Sequence, residues 1–421
     1  MSFDSLGLRS EILNAITEAG YSEPTPIQNT AIPYILNGID LTGIAQTGTG
    51  KTAAFTLPML EKLCLGHGLK TRRTRALVLS PTRELVVQIE ENVSTYAKYL
   101  PLEVATVFGG VGEKPQKKAL RDGVELIIAT PGRLMDLMGQ GCANFSECEF
   151  FVLDEADRML DMGFLPNVRK IVSSLPKRRQ TLLFSATLSK EIEKLTREFQ
   201  NRPKLVEIGR RSNPADTVEQ FLYEVTKAQK IALLKHLLGN NELYSVLVFT
   251  RTKYGADRVA KQLGKSGVST GAIHSNRTQN QRTRALNDFK NGKIRVLVAT
   301  DIAARGIDVD GITHVVNFDF PPTSEDYIHR IGRTGRAKSE GVAISFITGD
   351  DVKTLRNLER FMKKSIVRRR AKGFTANQAS FVVAERGNQK KSSIRSGSAF
   401  GKRPEKNGLK SFQKRRRGKR N

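Results

Sequence analysis

The stretch that decides the fold is Ala45-Gln46-Thr47-Gly48-Thr49-Gly50-Lys51-Thr52. It follows a short apolar run at residues 39–44 and opens a helix-like stretch at residues 53–60. A strand, a glycine-rich loop and a helix in this order are the setting that a phosphate-binding loop needs. Glycines let backbone N–H groups turn toward an anion, and the helix N-terminus adds partial positive charge. Lys51 would then reach the β- and γ-phosphates of a nucleotide, and Thr52 would hold Mg²⁺.

Ala45 replaces the first glycine of the usual pattern, which leaves a glycine- and threonine-rich turn before a buried helix as an alternative. A second stretch, Asp154-Glu155-Ala156-Asp157, follows an apolar run typical of a buried parallel strand. Carboxylates at the C-terminal end of such a strand project into the ligand crevice of α/β proteins. Asp154 is therefore expected to hold Mg²⁺ and Glu155 to polarise a water. A solvated acidic turn is the alternative, but the phosphate loop upstream favours a site.

Short apolar runs alternate with helix-length amphipathic stretches in both halves of the chain. The runs occupy residues 76–79, 104–108, 126–129, 150–153, 181–184, 246–249, 296–299, 314–318 and 342–346. This alternation predicts an α/β fold in which a parallel sheet is covered by helices on both faces. The polar stretch at residues 209–216 contains a proline and lacks periodicity, so it is expected to link two domains.

The two halves also look like distant copies of each other. The runs at 76–79 and 246–249 are each followed by hydroxyl residues and an arginine, and those at 126–129 and 296–299 by a threonine. Hydroxyl and guanidinium groups at strand ends suit phosphate oxygens, so two such edges could follow a nucleic-acid backbone. Helix capping by these threonines is the alternative. The repetition in both halves favours a functional role.

The formal net charge of +27 is concentrated at the C-terminus. Residues 361–421 contain 20 Lys/Arg and 2 Asp/Glu, and the low apolar content after about residue 365 predicts disorder. A basic tail indicates a polyanionic partner, and nucleic acid is favoured over membrane because the tail has no amphipathic stripe. Aromatic residues among the basic ones could stack on unpaired bases, or be chance members of a solvated tail. They are Phe374, Phe381, Phe400 and Phe412.

Other features argue against export or a membrane location. No stretch approaches the ~20 apolar residues of a membrane span, and the N-terminus lacks the pattern of a secretory signal. The cysteines Cys64, Cys142 and Cys148 are odd in number and have no C-x-x-C spacing, which favours reduced thiols in a cytosol.

Further motifs follow in a fixed order along the chain. They are Gly20-Tyr21, Pro24-Thr25-Pro26-Ile27-Gln28, Pro81-Thr82-Arg83-Glu84-Leu85, Gly109-Gly110, Thr130-Pro131-Gly132-Arg133, Ser185-Ala186-Thr187, Val248-Phe249-Thr250-Arg251, Ala299-Thr300-Asp301, Arg305-Gly306-Ile307-Asp308 and His329-Arg330-Ile331-Gly332-Arg333-Thr334-Gly335-Arg336. With the two stretches above, they resemble the DEAD-box ATP-dependent RNA helicase family, and most of all its bacterial RhlE-like group. The resemblance covers residues 1 to about 365.

This resemblance implies a fold and an activity. The fold is two tandem RecA-like, doubly wound parallel-sheet domains at 1–208 and 217–365, a linker at 209–216 and a disordered basic tail at 366–421. The activity is RNA helicase action in which ATP hydrolysis and domain closure drive local strand separation. An ATP-gated RNA clamp or assembly platform, and a DNA translocase, are the alternatives. The expected setting is the cytoplasm, in ribosome assembly or RNA turnover, with RNA as partner, no membrane and a monomeric core.

The resemblance also implies roles for individual residues. The catalytic set is Lys51, Asp154, Glu155, Arg333 and Arg336, and Mg²⁺ falls to Thr52 and Asp154. ATP is expected to contact Phe3, Tyr21, Gln28, Gln46, Thr47, Gly48, Thr49, Gly50, Lys51, Thr52 and Asp308. RNA is expected to contact Arg83, Gly110, Thr130, Arg133, Arg251 and Thr300. Coupling between the two ligands falls to Ser185, Thr187 and His329.

Two details of this assignment can be checked in a structure. The Gln28 amide is expected to bond the adenine edge as donor and acceptor, with Tyr21 or Phe3 packed against the base. The chain also departs from the family at one place. Where the family has His-Gly after a strand, this chain has His274-Ser275-Asn276, followed by Gln281-x-x-Arg284, and no role is assigned to that segment.

Overall fold

The computed structural model describes residues 2–46, 48–64, 73–208, 218–239, 243–304, 309, 311–335 and 341–375. The predictions for Thr47, Asp308 and Arg336, for the linker at 209–216 and for the tail beyond residue 375 concern positions outside this part of the chain.

The first domain is built on a sheet of seven parallel strands. These strands are β1 (Leu41–Ile44), β2 (Ala76–Leu79), β3 (Val104–Val107), β4 (Leu126–Ala129), β5 (Phe150–Leu153), β6 (Gln180–Ser185) and β7 (Lys204–Glu207). Their order across the sheet is β3-β4-β2-β5-β6-β1-β7. Because β6 lies between β5 and β1, the segments that follow these three strands meet at one edge of the sheet.

The second domain repeats this arrangement. Its strands are β8 (Val218–Glu224), β9 (Val246–Phe249), β10 (Thr270–Ile273), β11 (Val296–Ala299), β12 (His314–Asn317), β13 (Gly341–Ile347) and β14 (Val367–Arg369). The order β10-β11-β9-β12-β13-β8-β14 places β9 where β2 lies in the first sheet, and β11 where β4 lies. The internal repeat predicted from the sequence pairs these same strands, so the fold confirms it.

Helices cover both faces of each sheet. In the first domain they are α1 (Ser10–Glu18), α2 (Pro26–Leu36), α3 (Lys51–Leu63), α4 (Arg83–Tyr96), α5 (Glu113–Asp122), α6 (Pro131–Gly139), α7 (Ala156–Asp161), α8 (Leu165–Ser173) and α9 (Lys190–Phe199). In the second they are α10 (Lys230–Leu238), α11 (Lys253–Gly264), α12 (Gln279–Lys290), α13 (Asp301–Ala304), α14 (Ser324–Ile331) and α15 (Val352–Met362). None of the described helices has the length and apolar character needed to cross a bilayer.

The side chains of the central strands alternate between two cores, as the period of a strand requires. Along β2, Ala76 and Val78 pack with helices α2 to α4, whereas Leu77 and Leu79 pack with helices α6 to α9. Strand β9 divides its residues between two cores in the same way. The doubly wound parallel sheets predicted from the sequence are therefore confirmed.

The predicted start of the tail at residue 366 is wrong. Residues 367–369 form β14, which pairs in parallel with β8 at the edge of the second sheet. The Arg369 guanidinium carbon lies 3.3 Å from the centroid of the Phe221 ring. The ring of Phe374, predicted as a base-stacking residue of the tail, instead packs 5.6 Å from the ring of His236 on α10. The folded domain therefore includes residues 366–375, whose mixed basic and apolar sequence resembles that of a tail.

Candidate active site

The glycine-rich loop joins β1 to α3 at the carboxyl edge of the first sheet. Gly50 caps the start of α3 with a φ of 89°, in the left-handed region that glycine favours. A β-carbon at this position would also collide with the side-chain nitrogen of Gln28. Both the backbone conformation and the contact with Gln28 therefore require glycine at position 50.

Gln28 ties α2 to this loop. The side chain is buried, its Oε1 accepts the N–H of Thr25 at 2.8 Å, and its Nε2 donates to the Gly50 carbonyl at 3.1 Å. The sequence predicted that this amide would both donate to the adenine edge and accept from it. In the structure the amide oxygen and one of the two amide hydrogens bond to protein backbone, which leaves one N–H for a ligand.

The two aromatic residues predicted beside the base differ in accessibility. Phe3 is buried in the core of the first domain. Tyr21 is partly exposed, and its hydroxyl lies 3.0 Å from that of Tyr96. Tyr21 is therefore the more accessible ring of the two, and the contact of Phe3 with the base stays a prediction.

Lys51 is the buried cation of the loop. Its ammonium donates a hydrogen bond to the carbonyl of Ala45 at 2.6 Å, which holds it inside the loop. Thr49 closes the same turn by donating to the carbonyl of Gln46 at 2.7 Å. The charge of Lys51 also acts on the acidic stretch after β5, because it favours the ionised forms of both Asp154 and Asp157. The loop and the acidic stretch are therefore one electrostatic unit.

Asp154, the first residue of the acidic stretch, has a carboxylate oxygen that could bind a metal ion. It is buried at the end of β5, and its Oδ1 has no hydrogen-bond partner among the described residues. Burial, and then the neighbouring Glu155 carboxylate, raise the pKa of Asp154 to about 7. A buried carboxylate oxygen without a partner is costly, and it is the kind of ligand that Mg²⁺ prefers. Asp154 therefore fits the predicted metal ligand, with Thr52 in the first turn of α3.

Glu155 is held in one position by backbone and side chain together. Its φ of 52° lies in the left-handed region, which is uncommon for a residue with a side chain. Its Oε2 pairs with the Arg158 guanidinium at 2.7 Å, and both side chains are buried. Strained backbone of this kind is concentrated at functional sites.

Asp157 connects the acidic stretch to the end of β6. Its Oδ2 accepts the backbone N–H groups of Ala186 and Thr187 at 3.0 and 3.1 Å. Burial opposes its ionisation, but the charges of Lys51, Arg158 and His329 outweigh burial and lower the pKa of Asp157. The sequence assigned no role to this residue, although it ends the acidic motif. The structure shows that it fixes the predicted coupling segment at residues 185–187.

The second domain brings its own cations to a shared cavity. This cavity is lined by Arg158, Phe249, Asp301, Ala304, Asp326, His329, Arg330 and Arg333. Arg330 has a structural role within the second domain, since its guanidinium donates to the Asp301 carboxylate at 2.5 and 2.8 Å. Arg333 is buried, and its Nε donates to the carbonyl of His329 at 3.2 Å. Of the two arginines predicted to be catalytic, Arg333 lines the same cavity as Arg158, and Arg336 lies outside the described residues.

A buried contact at Glu84 joins the two domains a second time. Its Oε1 accepts from Gln279 at 3.1 Å and pairs with Arg282 at 2.7 Å, both from α12. The sequence singled out Gln281 and Arg284, which have the same spacing two residues later. No role was predicted for that second pair, and its Arg284 side chain is 87% exposed. Only the helix geometry reveals which pair faces the first domain.

Arginine side chains gather beside this contact. Arg83 packs so closely on Gly110 that a β-carbon there would collide with its guanidinium. Arg133 donates to the carbonyl of Val111 at 3.5 Å. Burial, and then the positive charge of Arg282, lower the pKa of Arg83. Crowded guanidinium groups of this kind favour a polyanion, because each added phosphate relieves their repulsion.

The threonines at the strand ends divide into two groups. Thr82 and Thr252 cap α4 and α11, since their hydroxyls accept backbone N–H groups at 3.3 and 3.0 Å. Thr130 precedes α6 without a side-chain cap bond. Among the predicted threonines, the capping alternative therefore explains Thr82 but not Thr130, and the buried Thr250 hydroxyl donates to the carbonyl of Thr252 at 3.3 Å. Thr300 lies at the end of β11, beside the exposed Arg251 after β9.

The chain matches known proteins over both domains. Residues 25–195 match the DEAD/DEAH box helicase family, and residues 229–338 match the helicase conserved C-terminal domain. The chain is 41% identical over 367 residues to the DEAD-box ATP-dependent RNA helicase CshA of Geobacillus kaustophilus, covering 87% of this chain and 78% of that protein. It is 43% identical over 370 residues to the ATP-dependent RNA helicase RhlB of Pseudomonas syringae, covering 86% and 93%.

The fold matches as well. The structure of S. cerevisiae Dbp5 bound to RNA and ADP BeF3 has a TM-score of 0.78 and 31% identity, covering 87% of this chain and 95% of that one. The chain therefore belongs to the DEAD-box ATP-dependent RNA helicase family, with two tandem RecA-like domains. It is an RNA-dependent ATPase that binds a nucleotide and RNA. Its place in the RhlE-like group stays a prediction.

Proposed function

We propose that ATP is hydrolysed where the two domains meet, and that their closure on the nucleotide drives local separation of RNA strands. The observation that carries this proposal is the cavity that Arg158 of the first domain shares with His329 and Arg333 of the second. A site assembled from both domains is complete only when they are together. Hydrolysis is then tied to closure rather than to nucleotide binding alone.

Each residue of the first domain has a distinct task in this proposal. The backbone of the glycine loop and the N-terminus of α3 receive the phosphates, and Lys51 supplies a point charge to them. Asp154 and Thr52 would hold Mg²⁺, which neutralises charge on the β- and γ-phosphate oxygens when it is bound. Glu155 orients the attacking water and receives its proton. Arg158 keeps the Glu155 carboxylate in place through their buried ion pair.

The buried carboxylates link this chemistry to RNA. Asp157 fixes the segment at residues 185–187 on one side, while Glu84 binds Gln279 and Arg282 of the second domain on the other. Glu84 is also the neighbour of Arg83, a proposed phosphate contact. Separation of the domains would leave Glu84 without two partners and would move Arg282 away from Arg83. Closure thus assembles the RNA edge and the hydrolytic site together.

Replacing Glu155 by glutamine tests this link. The amide keeps the shape of the side chain but cannot accept the proton of the water, so turnover with saturating RNA should fall by roughly 10²–10⁴-fold. Binding of ATP and RNA should persist, because the phosphate loop and the arginines are unchanged. The variant is therefore expected to hold RNA in a long-lived complex that forms only with ATP, measured as RNA dissociation after competitor is added.

The matched control is Glu147→Gln, which alters an exposed carboxylate paired with Arg73 at the other end of β5. It should hydrolyse ATP and release RNA as the parent does. Parental turnover in Glu155→Gln would move the role of base to another group. Loss of turnover without ATP-dependent retention of RNA would refute the coupling of closure to RNA.

We propose a tethering role for the tail, which a truncation after Thr375 can test. The removed residues contain 14 Lys/Arg and 2 Asp/Glu, whereas a cut after Ser365 would also remove strand β14. The truncated protein should bind single-stranded RNA more weakly, with a shallower slope of log affinity against log salt, because fewer counterions are released. Its RNA-free ATPase should be unchanged. Binding isotherms at several salt concentrations measure the slope.

The outcome that contradicts tethering is an unchanged salt slope, which would make a protein the better partner for the tail. We propose the cytoplasm as the site of action and ribosome assembly or RNA turnover as the process, with a monomeric core. The cysteines Cys64, Cys142 and Cys148 are all free, which fits a reducing compartment. Crosslinking the protein to RNA in cells and sequencing the bound RNA would identify the target.

A further inference from the structure

Three neighbouring strands of the second sheet end in a polar surface. Arg251 follows β9, Thr300 follows β11 and Asn276 follows β10, and β11 lies between the other two strands. Lys253, in the first turn of α11, donates a hydrogen bond to Asn276 at 2.8 Å. This bond spans from the segment after β9 to the segment after β10. These four residues are called the strand-end patch below, and at its other side the Arg251 guanidinium lies 3.9 Å from the Asp351 carboxylate.

The segment after β10 that departs from the family supports this patch. His274 is buried, and its Nε2 lies 2.9 Å from Asp257 of α11. Asp257 also accepts from Arg277 at 2.6 Å. These contacts fix the turn that presents Asn276 to Lys253. The patch is therefore held by the fold on both sides.

Tyr254 lies next to this patch and is exposed to an unusual degree. It is 71% exposed, the largest value among the exposed large hydrophobic residues of the described chain. The Lys253 ammonium lies 5.4 Å from the centroid of its ring. Gly255 follows, and its N–H is bound by the capping hydroxyl of Thr252, which anchors this turn of the helix. The ring thus stands on a fixed helix end with most of its surface open.

Position separates Tyr254 from other exposed tyrosines. Single exposed apolar side chains are common and need no function. Tyr244 is 65% exposed, but it precedes β9 and therefore lies toward the amino edge of the sheet. Tyr254 follows β9 at the carboxyl edge, three residues after Arg251, where the proposed phosphate contacts lie.

We propose that Tyr254 is a stacking platform for an unpaired nucleobase of the RNA strand whose phosphates lie on Arg251 and Thr300. This inference rests on the proposed RNA contacts of the second domain. Cations suit the phosphates, and an open aromatic face suits a base of any sequence. A base inside a duplex is already stacked on its neighbours. The platform therefore favours a single strand over a duplex at this end of the site and stabilises the separated product.

The absence of tryptophan from the sequence gives a direct test. Tyr254→Trp places a single indole on the proposed platform, and Tyr244→Trp places one on the opposite edge as the matched control. Each protein is titrated with a single-stranded oligouridine in the presence of a non-hydrolysable ATP analogue. We expect stacking to change the fluorescence of Tyr254→Trp and to leave that of Tyr244→Trp unchanged. An RNA of equal length with abasic residues should bind without changing either.

Affinity gives the second readout. Tyr254→Ala should bind oligouridine about tenfold more weakly, which corresponds to one lost base stack, while Tyr254→Phe should bind as the parent does. Abasic RNA should bind the parent and Tyr254→Ala equally. Arg251→Ala should weaken both RNAs alike, because it removes a phosphate contact.

These measurements distinguish failure of base stacking on Tyr254 from failure of the proposed phosphate contact at Arg251. Equal binding of oligouridine by the parent and Tyr254→Ala, with silent fluorescence in Tyr254→Trp, would overturn the platform and leave this tyrosine to a protein contact. Loss of affinity for both RNAs in Tyr254→Ala would also overturn it, since the ring would then act without the base. If Arg251→Ala binds both RNAs normally, the proposed phosphate contact fails instead.

Discussion

Replacing Lys51 by alanine is expected to reduce ATP turnover to background, even with saturating RNA. The ammonium is buried in the glycine loop, where it donates a short hydrogen bond to the Ala45 carbonyl. A phosphate oxygen can therefore bind the Lys51 ammonium by replacing the Ala45 carbonyl oxygen as its hydrogen-bond acceptor. Its removal also takes away a charge that lowers the pKa of Asp154, whose pKa burial already raises to about 7. The variant thus loses a phosphate contact and favours the protonated form of the proposed metal ligand.

Steady-state ATPase measurements across RNA concentrations check this expectation. The matched control is Lys62→Ala, which removes a lysine from the last turn of the same helix, 5.7 Å from the Phe150 ring. Thermal melting of both variants shows that the domain is folded. Turnover close to that of the parent in a folded Lys51→Ala would refute the assignment of residues 45–52 as the phosphate-binding loop.

Replacing Arg333 by alanine should lower the maximal RNA-stimulated ATPase rate by roughly 10³–10⁵-fold, the range found for catalytic arginines that reach a transferring phosphoryl group. Arg333 is buried beside the cavity that contains Arg158 of the first domain, so its charge is little screened by water. The first domain keeps its loop and carboxylates, and ATP affinity should change far less than the rate. The loss would therefore appear in kcat rather than in KM.

Single-turnover hydrolysis and nucleotide-binding measurements separate these two effects. Arg356→Ala, which changes an exposed arginine of α15, is the matched control and should behave as the parent does. Arg333→Lys should recover little activity, because an ammonium lacks the planar fork of a guanidinium. A variant that loses ATP affinity but hydrolyses bound ATP normally would show that Arg333 binds the ground state and does not act as a catalytic group.

The sequence predicted the interiors of the sheets better than their edges. Strands β2, β4, β5, β9 and β11 are buried on both faces, so each appears as a continuous apolar run. The edge strands β7, β10 and β14, and β8 beside β14, were not predicted, because exposed, polar or glycine positions break such a run. The edge strand β3 was predicted, since its run at 104–108 is apolar. Leu205 in β7, for instance, is 47% exposed. The error at residue 366 has the same cause, since β14 is an edge strand rich in arginine.

The candidate site shows a similar division. Lys51, Asp154 and Glu155 were predicted because short motifs at strand ends determine their positions, and the structure brings them together. The contact of Glu84 with Gln279 and Arg282 joins residues about two hundred positions apart, so no local pattern indicates it. The burial of Phe3 was not predicted either, because an aromatic residue near a ligand motif has the same sequence whether it packs inward or faces outward.

The contact between Gln28 and Gly50 has a consequence for how this enzyme chooses its nucleotide. One amide touches both the start of α2 and the last glycine of the phosphate loop, with no space for even a methyl group between them. Because Gln28 is predicted to bind the adenine edge, we expect the position of the base and the position of the phosphates to be mechanically joined. A nucleotide with the wrong base would not merely bind weakly; it would displace the loop and hold its own phosphates out of line. Discrimination against GTP or CTP would then appear as slower chemistry on bound nucleotide, not only as a higher KM.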